Sequence, residues 1–304
     1  MNSEENPYRM NMPKSGGGVR IHAPQRAPQT MTSKKLVERM KNIRHKILIL
    51  SGKGGVGKSF VTSSLAMALA LRNKKVGVAD ADFHGPSIPR MLGVVDRFLG
   101  AVLNEKGEQV IIPVENSLGI KIVSIDFMLA DKTMPVSWRG AIKLKALQQF
   151  LEDVEWGFLD YLLIDAPPGT GDDALNIFQI VPVDYVIFVT LPSEVSSYAV
   201  AKSIRFVEAV KEAFNKDVKV LGVIENMSYF VCDNGKVYNI FGSGGGEMLA
   251  RALGVELLGK IPLDPRISES NDRGEVFFVK YPESPASIEF KSIADKIIKL
   301  IEGE

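Results

Sequence analysis

The sequence predicts an α/β fold: a doubly wound, mostly parallel sheet with helices on both faces, forming a single domain. Three observations carry that expectation. An apolar run, Ile47-Leu48-Ile49-Leu50, leads into the glycine-rich stretch Gly52-Lys53-Gly54-Gly55-Val56-Gly57-Lys58-Ser59, and a helical pattern from Phe60 to Leu71 follows. Two further strand-like runs, Lys75–Asp80 and Leu159–Asp165, each end in a carboxylate, at the end of a strand where open α/β sheets bind ligands. Strand-like and helix-like segments continue to alternate down the chain, the pattern of parallel strands joined by helical crossovers.

Composition sets the outer bounds. The chain has 304 residues, 45% hydrophobic and 24% charged, which is ordinary for a globular chain and ample for a sizeable core. A formal net charge of +1 gives no global attraction to nucleic acid or an anionic membrane, so neither is an expected partner. No apolar run reaches the roughly eighteen residues of a spanning helix, and no apolar signal core opens the chain. A single cysteine excludes an internal disulfide and suits a reducing compartment. The expected location is the cytoplasm.

Residues 1–31 are polar, with Pro7, Pro13, Pro24, Pro28 and Gly16-Gly17-Gly18, and read as a flexible tail. The domain is expected over 32–304, opened by a short helix at about 33–43 with Leu36, Val37 and Met40 as its apolar stripe. Gly52–Ser59 then fits the phosphate-loop pattern G-x-x-x-x-G-K-[ST]. Its glycines let N–H groups turn inward around phosphate oxygens, and the helix entered at Phe60 adds its positive dipole end. Lys58 is placed to neutralise charge on the β- and γ-phosphates, and the Ser59 hydroxyl to ligate Mg²⁺. The loop from Gly52 through Phe60 is thus the candidate nucleotide-binding element.

The second strand leads into Asp80-Ala81-Asp82-Phe83-His84-Gly85-Pro86-Ser87. Asp80 is a candidate to hold a Mg²⁺-bound water, and Asp82 to orient or deprotonate the attacking water. The plainer alternative is a polar turn capping a short helix near Pro86. His84 has no second His or Cys at ligand spacing and reads as a hydrogen-bonded turn residue. Gly100–Asn116 reads as a hairpin insertion around Val110-Ile111-Ile112, and Ile120–Ser124 as a strand. A helix opening at Trp138-Arg139-Gly140 runs to about Asp153, with Leu144, Leu147 and Leu151 at core spacing. Arg139 suits a phosphate, a neighbouring subunit or a surface ion pair.

Leu159–Asp165 has the form of a buried parallel strand, and Asp165 is its candidate Mg²⁺ ligand. Prolines and glycines shape the loop that follows, and Pro168 and Gly169 are candidate switch residues, the Gly169 N–H being placed to sense a γ-phosphate. Tyr185–Thr190 is a strand, about Glu194 to Phe214 a helix, and Val218–Asn226 a strand. The Asn226 amide has the donor and acceptor to read adenine's N6/N7 edge, or to form an Asx-turn. Asn234-Gly235 signals a hairpin. It puts Cys232 near the tip, as a candidate metal or cluster ligand or as an inert thiol. A helix over Gly242–Leu253, a last strand over Leu257–Pro262 and a short helix after Pro265 follow. Ser287–Ile301 closes the chain as a helix whose Ile293, Ile297, Ile298 and Ile301 stripe suits core packing rather than a membrane surface.

With Lys53 before the paired glycines, the loop reads Lys-Gly-Gly-Val-Gly-Lys-Ser. It resembles the deviant Walker A pattern of the MinD/ParA/nitrogenase-iron-protein superfamily of P-loop NTPases. Asp80–Gly93, Asp165–Asp172 and Glu225-Asn226-Met227-Ser228 are similar to the Mrp/ApbC/Nbp-type P-loop ATPases that carry iron–sulfur clusters. The resemblance runs from about Lys34 to Ile301. It implies an ATP-dependent homodimer that transfers clusters to apo iron–sulfur client proteins; Mg-dependent hydrolysis is expected to be slow, because a nucleotide switch gains from a long-lived ATP state. It also implies that Lys53 reaches across the interface to the partner's nucleotide, acting with Lys58 and Asp82 in catalysis. Asp82 matches the water-positioning aspartate, Asp165 the switch aspartate, and Asn226 the adenine-facing asparagine. The backbone near Pro262 and Asp264 matches the stretch that closes over the base.

One departure matters. The family commonly has Cys-x-x-Cys after Asn-Met-Ser, and here Cys232 is followed at the second position by Gly235. A symmetric dimer then offers two thiolates where a [4Fe–4S] cluster takes four ligands, leaving Asp233, a small thiol or a client to complete the set. Two other readings share the nucleotide motifs. One is a MinD/ParA-like positioning ATPase, against which the near-neutral charge counts. The other is a nucleotide-switch scaffold that has lost its cluster, suggested by Gly235.

Overall fold

The computed structural model describes residues 33–82, 85–104, 107–128, 140–193, 197–214, 218–232 and 234–303. The expected tail, His84, Arg139 and Asp233 lie outside them. In chain order the first elements are α1 (Lys34–Met40), β1 (Ile43–Ser51), α2 (Lys58–Ala70), β2 (Val76–Asp80), α3 (Ile88–Met91), β3 (Gly100–Leu103) and β4 (Gln109–Ile112). Next come β5 (Val114–Glu115), β6 (Lys121–Val123), α4 (Gly140–Asp153), β7 (Leu159–Asp165), α5 (Asp172–Ile180), β8 (Tyr185–Thr190), α6 (Ser197–Phe214) and β9 (Lys219–Glu225). The last are β10 (Phe230–Val231), β11 (Val237–Tyr238), α7 (Gly245–Leu253), β12 (Glu256–Lys260), α8 (Pro265–Arg273), α9 (Phe277–Lys280) and α10 (Pro285–Glu302).

Eight strands form one sheet in the order β12-β9-β8-β1-β7-β2-β6-β5, parallel throughout except where β5 meets β6. The expected fold class is therefore the observed one. The connection from β1 to β2 runs one way along the sheet, and that from β7 to β8 steps back across β1. The loops after β1 and β7 consequently open into the crevice where a doubly wound sheet takes its ligands.

Both faces of the central strands are covered, which is why β1 and β7 read as nearly continuous apolar runs. Alternation still assigns each residue to a side. Leu48, Leu50, Leu162 and Ile164 pack with α1 and α4–α7. Ile47, Ile49, Tyr161 and Leu163 pack with α2, α9 and α10. Phe290 of α10 is fully buried, with Phe60 edge-on at 5.5 Å and Phe278 at 5.7 Å. These rings tie the helix after the glycine loop to the closing helix.

Three expectations need correction. The first helix ends at Met40 rather than at 43, because Ile43 already pairs with Leu159 in the sheet. Val37 faces outward, so the buried stripe is Leu36 and Met40 alone. The helix expected from Gly242 starts at Gly245, since Gly242 and Gly244 both hold left-handed backbone. Two helices, α5 and α9, had no counterpart in the reading of the sequence. The stripe of α10 packs inward as expected, with Ile293 and Ile297 fully buried. The hairpin insertion is present as β3 paired antiparallel with β4. No described helix is long and apolar enough to cross a membrane.

Candidate functional site

The glycine loop joins the end of β1 to the start of α2. Ser51 Oγ donates to the Lys53 carbonyl at 2.9 Å and turns the chain out of the strand. Gly55 and Gly57 adopt φ of +78° and +81°, where a side chain is strained. Gly57 also has no room for one: an added Cβ would lie 2.3 Å from Asn226 Nδ2. That amide donates to the Val56 carbonyl at 2.9 Å, and both residues are buried. Asn226 is thereby locked to the loop. Gly52 is half-buried, and Lys53, Gly54 and Gly55 form the open rim. The first backbone hydrogen bond of α2 runs from Val61 N to Gly57 O at 3.0 Å. The N–H groups of Lys58, Ser59 and Phe60 precede it and form the anion-binding end of the helix. Phe60 turns its ring onto Phe290, so only its backbone serves the loop.

Sheet register brings the carboxylates to the same place. Asp165 stands opposite Ile49 of β1 on one side and opposite Asp80 of β2 on the other. Asp165 is fully buried. Ser59 Oγ donates to its Oδ2 at 2.6 Å, and Thr62 Oγ1 lies 2.6 Å from its Oδ1. Lys58 Nζ is 2.7 Å from Oδ2. The lysine approaches outside hydrogen-bonding geometry, so its buried ammonium is ion-paired yet has no hydrogen-bond acceptor. Buried donors in native proteins are almost always satisfied, and an anion among the loop amides would satisfy this one. Asp80 accepts from Ser124 Oγ at 2.9 Å and from the Asp82 N–H at 3.2 Å. Burial, reinforced by the neighbouring Asp165, pushes the Asp80 carboxyl up to about 8. Ser59, Asp80 and Asp165 form an all-oxygen donor set at the crevice, which fits a hard cation such as Mg²⁺.

Asp82 is half-buried just past β2. The loop after β7 lies against the rim, since a Cβ on Gly54 would meet Pro168 Cβ at 3.6 Å. Gly169 in that loop holds φ of +91°. A second wall forms beside the glycine loop. Asn226 N donates to Thr190 O at 2.8 Å, Ser228 N to Ile261 O at 2.8 Å, and Leu263 N to Tyr229 O at 2.7 Å. Residues 226–230 and 261–264 therefore run side by side, with Pro262 buried between them. Asp264 caps α8 by accepting from Arg266 N at 3.0 Å.

Two residues of the site escaped the sequence reading. Thr62 sits one turn beyond Ser59 and so on the same helix face. Buried Glu225 accepts from Gly246 N at 2.7 Å and from the Ser228 hydroxyl, tying the Asn226 segment to α7. A carboxylate closing an apolar strand, as at Asp80 and Asp165, was the available signal.

Cys232 follows β10 in the expected hairpin. Its N–H donates to Lys236 O at 2.9 Å, and its carbonyl accepts from Gly235 N at 2.8 Å. The thiol is half-buried. Gly235 holds φ of +80° with open space around it, so the turn is built on a glycine conformation. Among the described residues no three His, Cys, Asp or Glu side chains gather where they could hold a metal ion.

Fold and site together define a P-loop nucleotide-binding protein. The family model described as "ParA: NUBPL iron-transfer P-loop NTPase" matches residues 42–298. A protein of Saccharolobus solfataricus named iron-sulfur cluster carrier protein is 53% identical over 309 residues, covering 98% of each chain. One of the same name from Methanocaldococcus jannaschii is 50% identical over 89% of each. Among solved structures, the nucleotide-binding protein of Archaeoglobus fulgidus in complex with ADP is 37% identical with a TM-score of 0.71, covering 84% of this chain and 96% of that one. The septum site-determining protein MinD of Pyrococcus horikoshii, complexed with Mg-ADP, is 25% identical with a TM-score of 0.60, over 85% and 97%. The chain belongs to the ParA/NUBPL family of iron-transfer P-loop NTPases.

The fit of Gly57 against Asn226 yields a prediction. Gly57→Ala should weaken ATP binding at least tenfold, about 1.4 kcal/mol, in a titration with a fluorescent ATP analogue. Gly55→Ala, whose Cβ meets nothing within 4 Å, should weaken it less. Equal effects of the two would contradict the packing described.

Proposed function

We propose that the chain is an ATP-dependent iron–sulfur cluster carrier, acting as a cytoplasmic homodimer that hands clusters to apo client proteins. The observation that carries the nucleotide half is the buried Lys58 ammonium, held beside Asp165 without a hydrogen-bond acceptor. The phosphates of ATP supply that acceptor, and the loop amides and the α2 N-terminus take the remaining phosphate oxygens. Ser59, Asp80 and Asp165 would hold Mg²⁺ directly or through water, and the ion would neutralise charge on the β- and γ-phosphates. Asp82 orients the attacking water and accepts its proton. Lys53, on the open rim, places a fixed positive charge on the partner subunit's nucleotide. Pro168 lies against that rim and, with Gly169, responds to loss of the γ-phosphate. Asn226, Pro262 and Asp264 form the wall on which adenine rests.

The cluster is cargo. The names of the relatives from Saccharolobus and Methanocaldococcus support this half of the reading. Cys232 would supply one thiolate per subunit, and a small thiol or the client the remainder of the four. The glycine turn at Gly235 favours one rival, a nucleotide-switch scaffold without a cluster. Anaerobic reconstitution with iron and sulfide separates them, by iron counting and the visible spectrum. The carrier reading predicts iron bound per dimer that disappears in Cys232→Ala. Absence of iron in both, with ATP binding intact, would leave the scaffold.

Hydrolysis gives a second test. Lys53→Ala and Asp82→Ala should each abolish phosphate release while retaining most ATP affinity, because Lys58 and the loop amides remain. Unchanged turnover in both variants would remove the roles assigned to these side chains.

A further inference from the structure

The stretch 261–264 continues from the edge strand β12 and is paired along one side, by backbone hydrogen bonds to residues 225–230, and a side-chain anchor is attached at its far end. The Asp264 side chain is only 8% exposed and is gripped by one residue. Arg266 Nε donates to Oδ1 at 2.8 Å and Nη2 to Oδ2 at 2.6 Å, a two-pronged pairing, and its backbone N–H also donates to Oδ1 at 3.0 Å. The guanidinium in turn lies over the Tyr281 ring at 5.0 Å. Tyr281 rests on Phe277 at 5.4 Å, and Phe277 is buried in the core layer that also contains α2. A cation in the first turn of a helix is electrostatically misplaced. The carboxylate and the aromatic face offset that penalty at Arg266, and together they connect the wall to the core beneath the glycine loop.

We infer that Arg266 is a positioning residue for the nucleotide base: through Asp264 and Tyr281 it holds the Pro262–Asp264 stretch at a fixed distance from Asn226. This rests on the nucleotide reading above and deepens it. Phosphate recognition and base recognition then depend on different anchors. The phosphates are held by the loop and α2, and the base by a stretch whose placement Arg266 maintains. Loosening Arg266 should affect only ligands that carry a base. Its side chain is 45% exposed, so substitution there leaves the core intact.

The test compares ATP, GTP and inorganic tripolyphosphate, each with Mg²⁺, by calorimetric titration of the full chain. In Arg266→Ala the affinity for ATP should fall about fivefold and the preference for ATP over GTP should shrink. Tripolyphosphate binding should stay within about twofold of wild type. Tyr281→Leu, which keeps the apolar contact with Phe277 but removes the guanidinium's platform, should shift the same ratio in the same direction. Arg266→Lys keeps the charge without the two-pronged geometry and should recover only part of the loss. An ATP affinity unmoved in Arg266→Ala, or ATP and tripolyphosphate weakened alike, would overturn the inference while leaving the nucleotide reading in place. A wild-type chain that bound neither ligand would overturn both.

Discussion

The site depends on the parallel register of three strands. Ile49, Asp165 and Asp80 lie in one row across β1, β7 and β2. Tyr161 and Leu163 point into the layer beneath α2, and Asp165, two residues further on, points the same way. It therefore arrives under Ser59 and Thr62 rather than on the other face. A slip of one residue would send every side chain of β7 to the opposite layer and strip Asp165 of both hydroxyls. The apolar run before the carboxylate thus has a second use besides filling the core. It sets the phase that delivers the carboxylate to the glycine loop.

That delivery brings charge into a dry place. Lys58, Asp80 and Asp165 are all buried at the crevice, and burying ionised groups is costly unless partners compensate. Within the chain the compensation is partial: Lys58 has a counter-ion but no hydrogen-bond acceptor, and Asp80 is driven toward its protonated form by burial and by Asp165. A phosphate group with a divalent cation, as in the function proposed above, would supply what both lack. Ligand binding of that kind also stabilises the fold by mass action, so the site's own electrostatic cost is recovered when it is filled. The stretch 261–264 beside the glycine loop stands apart from these charges, resting on backbone hydrogen bonds and on the Arg266 grip. Its partner segment continues directly into the cysteine hairpin: residues 226–230 pair with 261–263, and Cys232 follows at once.

Much of this was legible in the residues. The glycine loop was readable because its spacing answers to one job, and the strand before it and helix after it are local. Asp80 and Asp165 were readable because each closes an apolar run. Their adjacency was not, since β7 is inserted between β1 and β2 by a long-range crossover that no local pattern records. The boundary between α1 and β1 was misplaced for the same reason, since pairing of Ile43 with Leu159 overrode a helical stripe. The helix α5 was hidden behind the prolines and glycines of the preceding loop, although Asp172 and Asp173 suit its first turn. Asn226 was singled out for its amide, whereas its contact with the Val56 carbonyl and its close approach to Gly57 needed the fold. The Arg266–Asp264–Tyr281 arrangement joins two helices far apart in pattern if not in number, and nothing in spacing alone foretells it.

In the function proposed above, Lys58 and Asp165 hold each other only until phosphate arrives. A crystal structure with a non-hydrolysable ATP analogue and Mg²⁺ tests it most directly. Lys58 Nζ is expected to leave its present 2.7 Å contact with Asp165 and donate to the β- and γ-phosphates, with Asp165 turned toward the metal. An ammonium still seated on Asp165, with the phosphates bound outside the glycine loop, would contradict it.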